Sequence, residues 1–165
     1  MRHVILAGLL AVLPVAAISQ GANIAFGDTK IDPDAPVEIT ADELSVDQSN
    51  GSAIFAGNVV AGQGELRLSA GNVRVQYVIE NGDPTSRIDK LYATGGVTLV
   101  NGPEAAEARE AVYSVDAGEI EMTGDVVLTQ GQSALSGEKL IVDLNAGTGR
   151  IVGRVRTIFQ TGNDN

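Results

Sequence analysis

The 165 residues include no cysteine, no tryptophan, six other aromatics and a single histidine, His3. Each absence closes a class of function. Without cysteine there is no disulfide framework, no thiol nucleophile and no thiolate metal site. His3 lies in an apolar leader, so the rest of the chain lacks the base for Ser-His-Asp or Cys-His catalysis and the imidazole of a zinc site. Carboxylate pairs are the one remaining route to hydrolysis. The candidates, Asp42-Glu43 and Glu119/Glu121, fall at turns or solvent-facing strand positions, where a solvated surface explains them. Asp32-x-Asp34 is followed by no Asp/Asn-rich loop of calcium-binding length. No glycine cluster opens a helix, so phosphate-loop and dinucleotide fingerprints are missing. The expectation is a non-enzymatic protein with no cofactor.

Positive charge is scarce as well. Eleven Lys+Arg stand against 21 Asp+Glu, a formal charge of −10. That balance repels phosphate backbones and excludes nucleic acid as a partner. The N-terminus has its own character. Arg2-His3 precedes an apolar run from Val4 to Ile18, and small residues follow at Ser19 and Gly21. Residues 1–22 therefore read as a signal peptide, with cleavage in the region Ser19 to Ala25. The run falls short of the roughly 20 residues that span a bilayer, and Pro14 interrupts it; an uncleaved membrane anchor is the alternative. Losing Arg2 with the leader takes the charge from −10 to −11. Residues 23–36, rich in Gly, Asp and Pro, read as a flexible lead-in. One domain is expected over 37–159, followed by a disordered tail at 160–165.

What the chain does have is alternation. Leu44 and Val46 alternate with Ser45 and Asp47, Gln48-Ser49-Asn50-Gly51 is turn chemistry, and Ala53 to Val59 resumes an extended pattern. Val73, Val75, Tyr77 and Ile79 form the longest alternating run, and Asn81-Gly82-Asp83-Pro84 is the strongest turn signal. Between Pro103 and Tyr113 two readings compete. Glu104 to Ala111 is full of helix formers behind a proline suited to a helix start, whereas Tyr113 and Val115 alternate as a strand does. Strand is preferred for Ala111 to Val115; 104–110 stays open. Further on, Gly118, Gly124, Gly131, Gly137, Gly147 and Gly149 punctuate strands of five to seven residues.

The pattern repeats. Phe55-Ala-Gly57-Asn58-Val59-Val60 aligns with Met122-Thr-Gly124-Asp125-Val126-Val127, and without a gap Gln63-Gly64 falls on Gln130-Gly131. Weaker echoes are Gly95-Gly96-Val97 and Gly153-Arg154-Val155. The last three of these glycines are 29 apart (124 minus 95, 153 minus 124); the first interval is 38 (95 minus 57). Units of this size cannot bury an apolar face alone, so they are expected to stack around one core. The resulting fold class is all-β: a single solenoid-like antiparallel stack with open ends, whose terminal strands are unpaired edges. Seventeen residues should share the inner face: Phe55, Val59, Leu66, Leu68, Val73, Val75, Leu91, Val97, Leu99, Tyr113, Val115, Met122, Val126, Leu128, Leu135, Leu140 and Val142. Core packing is the simplest role for each. A largely aliphatic trough also suits an acyl chain.

The run ITADELSVDQSNGSAIFAGNVV, followed by Tyr113-Ser-Val-Asp and Gly124-Asp-Val-Val, resembles the OstA-like domain of lipopolysaccharide-transport proteins. The resemblance covers Val37 to Phe159. It implies a twisted β-jellyroll open at both ends, periplasmic location, and lipopolysaccharide acyl chains along the interior. It also implies head-to-tail strand pairing, with further copies or with sister domains of inner-membrane (LptC-like) and outer-membrane (LptD-like) components. Two alternatives remain: a membrane-anchored member of the same system, and a structural β-solenoid without lipid binding. Arg109-Glu110 departs from the pattern of Ala41-Asp42. Charge adds a polarity. Acids cluster on the first strands (Glu38, Asp42, Glu43, Asp47) and arginines on the last (Arg150, Arg154, Arg156), so the basic end of one copy is expected to receive the acidic end of the next.

Overall fold

The computed structural model describes residues 22–26 and 35–159; the leader and the tail expected from the sequence lie outside them, apart from Ala22. The described residues form one antiparallel sheet of twelve strands and no helix. In chain order these are β1 (Ala22–Ala25), β2 (Glu38–Thr40), β3 (Glu43–Asp47), β4 (Ser52–Gln63), β5 (Leu66–Glu80), β6 (Asp83–Asn101), β7 (Glu104–Ala108), β8 (Glu110–Ser114), β9 (Glu119–Gln130), β10 (Ser133–Asp143), β11 (Thr148–Val152) and β12 (Arg156–Ile158). The order across the sheet is β1-β11-β10-β9-β7-β6-β5-β4-β2, with β3 beside β4, β8 between β6 and β9, and β12 beside β10.

Long strands, bent rather than ended by glycine, explain this order. The backbone of Gly57-Asn58 takes left-handed φ angles of 78° and 47°, and Gly124-Asp125 takes 86° and 49°. Gly, Asn and Asp tolerate that region best. Two such residues in a row make a bulge, and the register slips between Ala56 and Val59. A bulge bends its strand and sharpens its twist. The echoes at Gly95-Gly96 and Gly153-Arg154 adopt the same pair of left-handed angles. The repeated Gly-x-Val is thus a corner. Strand lengths are corrected accordingly: β6 runs for 19 residues straight through Gly95-Gly96, and Gly124 and Gly137 lie inside strands where breaks were expected.

The line of corners divides the sheet. On one side lie β2, β7, β12 and the halves of β4, β5, β6, β9 and β10 that pair with them; on the other lie β1, β3, β8, β11 and the remaining halves. The inner faces of both halves contribute to a single buried cluster, a β-jellyroll arrangement.

Three of the four corners are tied by the residue opposite them. The Asp42 amide donates to the Gly57 carbonyl at 2.9 Å and the Arg109 amide to the Gly124 carbonyl at 3.0 Å, as Glu138 does to Gly153 at 3.1 Å. Their side chains then reach the residue after the glycine: Asn58 Nδ2 donates to Asp42 Oδ2, Arg109 pairs with Asp125, and Glu138 pairs with Arg154. Arg109 therefore stands where Asp42 does in the first unit. Its apparent departure from the repeat is compensated by the acid at 125, and the third unit follows the same path.

Two further readings are settled by pairing. Residues 104–108 and 110–114 are strands, because β7 and β8 fill the gap between β6 and β9, and ladder bonds outweigh the helix propensity of Glu and Ala. Residues 23–26, read as the start of a loose lead-in, lie in the sheet and core together with Ala22. Ala22–Ala25 pairs with Thr148–Ile151 on β11, and Phe26 is 1% exposed in the core.

Candidate functional site

The inner face is the face the alternation predicts. Fifteen of the seventeen expected interior residues are buried, and Phe55 and Val115 are partly buried against them. Ile120, Leu144, Ile151, Phe26 and several alanines belong to the same core and were not anticipated. Ile120 alternates with Glu119 and Glu121 and was legible. The alanines carry no periodic signal strong enough to read.

The core leaves little room beside Tyr113. The apolar cavity bounded by Val37, Ala61, Leu66, Leu68, Leu91, Tyr113 and Ile120 holds about 20 Å³, room for roughly one water-sized probe. Tyr113 on β8 closes it by donating its hydroxyl to Gln63 Oε1 on β4 at 2.7 Å, a buried bond between the two half-sheets. Burial pushes the Tyr113 phenol above its ordinary value of 10.0. A raised folded value means the folded chain keeps this proton longer than the unfolded chain. The associated stability is complete below pH ~10 and is lost as pH rises through the folded value. Tyr113→Phe should cost about 1–3 kcal/mol at neutral pH and lessen the stability loss above pH ~10. Urea midpoints at neutral and alkaline pH measure both, and an unchanged alkaline loss would contradict this role.

One rim of the trough is polar. Along the end of the half-sheet containing β7, the last inner-facing positions are Gln63, Asn101, Glu104 and Gln130, in register through the Asn101–Glu104 and Glu104–Gln130 pairs. Gln63 Nε2 donates to the Ala35 carbonyl at 2.9 Å. Its repeat equivalent, Gln130 Nε2, donates to the Ala25 carbonyl at 2.6 Å and to Glu104 at 2.8 Å. Asn101 is 1% exposed, and its Oδ1 is the one buried side-chain polar atom among the described residues with no partner.

The ends of the sheet differ. β2 and β3 pair only with β4, so Glu38, Glu43 and Asp47 stand on open edges. Leu44 and Val46 share the inner face with their partners Phe55 and Ala53 but are 54% and 60% exposed. This is an apolar ledge at the open end of the trough. Hydrogen bonds from the Ser49 hydroxyl, then its amide, hold the Asp47 carboxyl below its ordinary value of 3.8. Asp42 is spent in a corner. At the other end, only Arg156 of the three arginines stands on an open edge strand, β12. Arg154 is tied to Glu138, and Arg150 lies on β11, which β10 and β1 pair on both sides.

A corner-folded antiparallel sheet around a one-sided apolar interior defines a β-jellyroll of the OstA type, and the comparisons agree. The chain belongs to the family of LptA/(LptD N-terminal domain) lipopolysaccharide-transport proteins, whose profile matches residues 38–148. An uncharacterized protein of Rhizobium meliloti (strain 1021) is 30% identical over 140 residues, covering 82% of this chain and 75% of that protein. The lipopolysaccharide export system protein LptA of Escherichia coli (strain K12) is 28% identical over 113 residues, 66% of this chain and 60% of its own length. Among solved structures, LptH, the LptA-homologous periplasmic component of the lipopolysaccharide transport device of Pseudomonas aeruginosa, superposes with a TM-score of 0.67 at 19% identity. That match covers 78% of this chain and 98% of LptH.

Proposed function

We propose that this lipopolysaccharide-transport protein is a periplasmic carrier that passes lipopolysaccharide from the inner to the outer membrane, holding acyl chains in its interior. The observation that carries the reading is the inner face: largely aliphatic from Val59 to Val142, bordered by a carboxamide rim, and ending in the exposed ledge of Leu44 and Val46. An amphiphile with an acylated body and a polar head matches that division. The open edges supply the docking surfaces. β2 and β3, bearing Glu38, Glu43 and Asp47, would pair with the β12 side of the preceding domain, where Arg156 stands. That domain is another copy or a sister domain on an LptC-like or LptD-like component.

One observation favours a scaffold without lipid binding: the apolar cavity beside Tyr113 holds only about 20 Å³. Photo-crosslinking separates the two. Photoreactive apolar residues at Phe55, Leu68 or Met122 should capture lipopolysaccharide from purified complexes. Absence of capture at all three sites defeats the carrier reading.

A further inference from the structure

The apolar cavity beside Tyr113, at about 20 Å³, is too small for an acyl chain, so a chain seated in the core there has to displace a side chain. Twelve large side chains are almost completely buried, and Phe26 is among them. The other eleven stand on strands paired on both sides. Phe26 alone follows a four-residue strand paired on one side only. A short terminal strand with one neighbour is the element whose local opening costs least.

Its contacts resemble those of an amphiphile. The backbone of this segment lies against the polar rim, where Gln130 donates to the Ala25 carbonyl, while the Phe26 ring lies in the apolar core. Ile24 covers Gly149, where an added Cβ would come 3.1 Å from Ile24 Cγ1. The Phe26 amide donates to the Gly147 carbonyl at 3.1 Å, and that bond ends the attachment to β11. Within the same rim row, Asn101 Oδ1 is buried and lacks a donor.

We infer that β1 and Phe26 are an internal stopper, occupying the place an acyl chain takes, and that loading requires their withdrawal from β11 and the core. The inference rests on the carrier reading. The ligand is an amphiphile whose chain replaces the Phe26 ring. Its head accepts the Gln130 hydrogen bond that the Ala25 carbonyl gives up and supplies a hydroxyl or amide N–H to Asn101 Oδ1. An acylated sugar meets both requirements. The stopper keeps the empty carrier's core dry, and the lipid takes over its contacts.

The chain has no cysteine, so the stopper can be locked cleanly. Asn23 and Arg150 are register partners, both exposed on the outer face. Antiparallel partners lie about 4.5–5.5 Å apart, within the span of a disulfide. In Asn23→Cys/Arg150→Cys protein that keeps β1 at its N-terminus, the oxidised form should bind fluorescently labelled lipopolysaccharide at least about tenfold more weakly than the reduced form, because the competent state is withheld. Reductant should restore binding. Phe26→Ala should load faster than wild type. Equal binding by the oxidised and reduced forms overturns the stopper and leaves the carrier reading intact. No binding by wild type or the reduced form defeats the carrier reading, and the stopper with it. If Phe26→Ala fails to fold, the disulfide pair decides alone, since it alters only exposed positions.

Discussion

Leu44→Glu/Val46→Glu should abolish concentration-dependent head-to-tail assembly while leaving the melting temperature within a few degrees of wild type. Both residues are more than half exposed on edge strand β3, so the charges stay hydrated in the monomer. Exposed substitutions of this kind usually change stability by within about 0.5 kcal/mol. Docking changes the setting. A neighbouring strand laid along β3 would cover the ledge that continues Phe55 and Ala53, and two carboxylates left without partners there would cost several kcal/mol. Light scattering across a concentration series reads the result directly. Assembly equal to wild type would show that β3 is not the docking edge. The same experiment ranks the arginines: Arg156→Glu on β12 should weaken assembly more than Arg150→Glu, because β11 has no free edge while β1 covers it.

That ranking differs from the one the charge pattern suggests, and the reason is physical. Charge clusters are visible in the chain order, but which strand is an edge depends on a pairing between residues 127 positions apart in sequence (150 minus 23), Asn23 with Arg150. Nothing local in Ala-Asn-Ile-Ala-Phe announces that pairing: the segment is too short to show a period. The interior was legible because alternation is a local property, and long strands such as β5 keep it through their corners. The corners were legible as repeats because the left-handed pair at Gly57-Asn58 and Gly124-Asp125 restricts residue choice. That they bend strands without ending them was hidden, since glycine marks turns and bulges alike. Gln63 and Gln130 were visible as equivalent positions, whereas their use as rim donors emerges only where the two half-sheets and the N-terminal segment meet.

A core probe tests the division of the sheet into inner and outer faces. Leu99 and Val100 are neighbours near the end of β6; Leu99 is fully buried between Leu68 and Ala106, and Val100 faces solvent. Leu99→Ala removes side-chain volume from a packed interior whose strands are paired on both sides and can relax only partly, so it should cost about 2–5 kcal/mol. For a domain of this size that corresponds to a fall in melting temperature of roughly 5–15 °C. Val100→Ala should cost under about 1 kcal/mol, since it leaves no cavity. Thermal and urea unfolding of the two variants measure the contrast, and equal losses would contradict a one-sided core. The Leu99 deficit has a second use. An apolar cavity of this kind stays dry and accepts an apolar guest, and a guest that binds only the folded chain raises its stability by mass action. Saturating lipopolysaccharide should therefore recover part of the Leu99→Ala loss while leaving the small Val100→Ala loss unchanged relative to wild type. Failure to recover any of it would place the acyl chains away from the part of the trough that Leu99 lines.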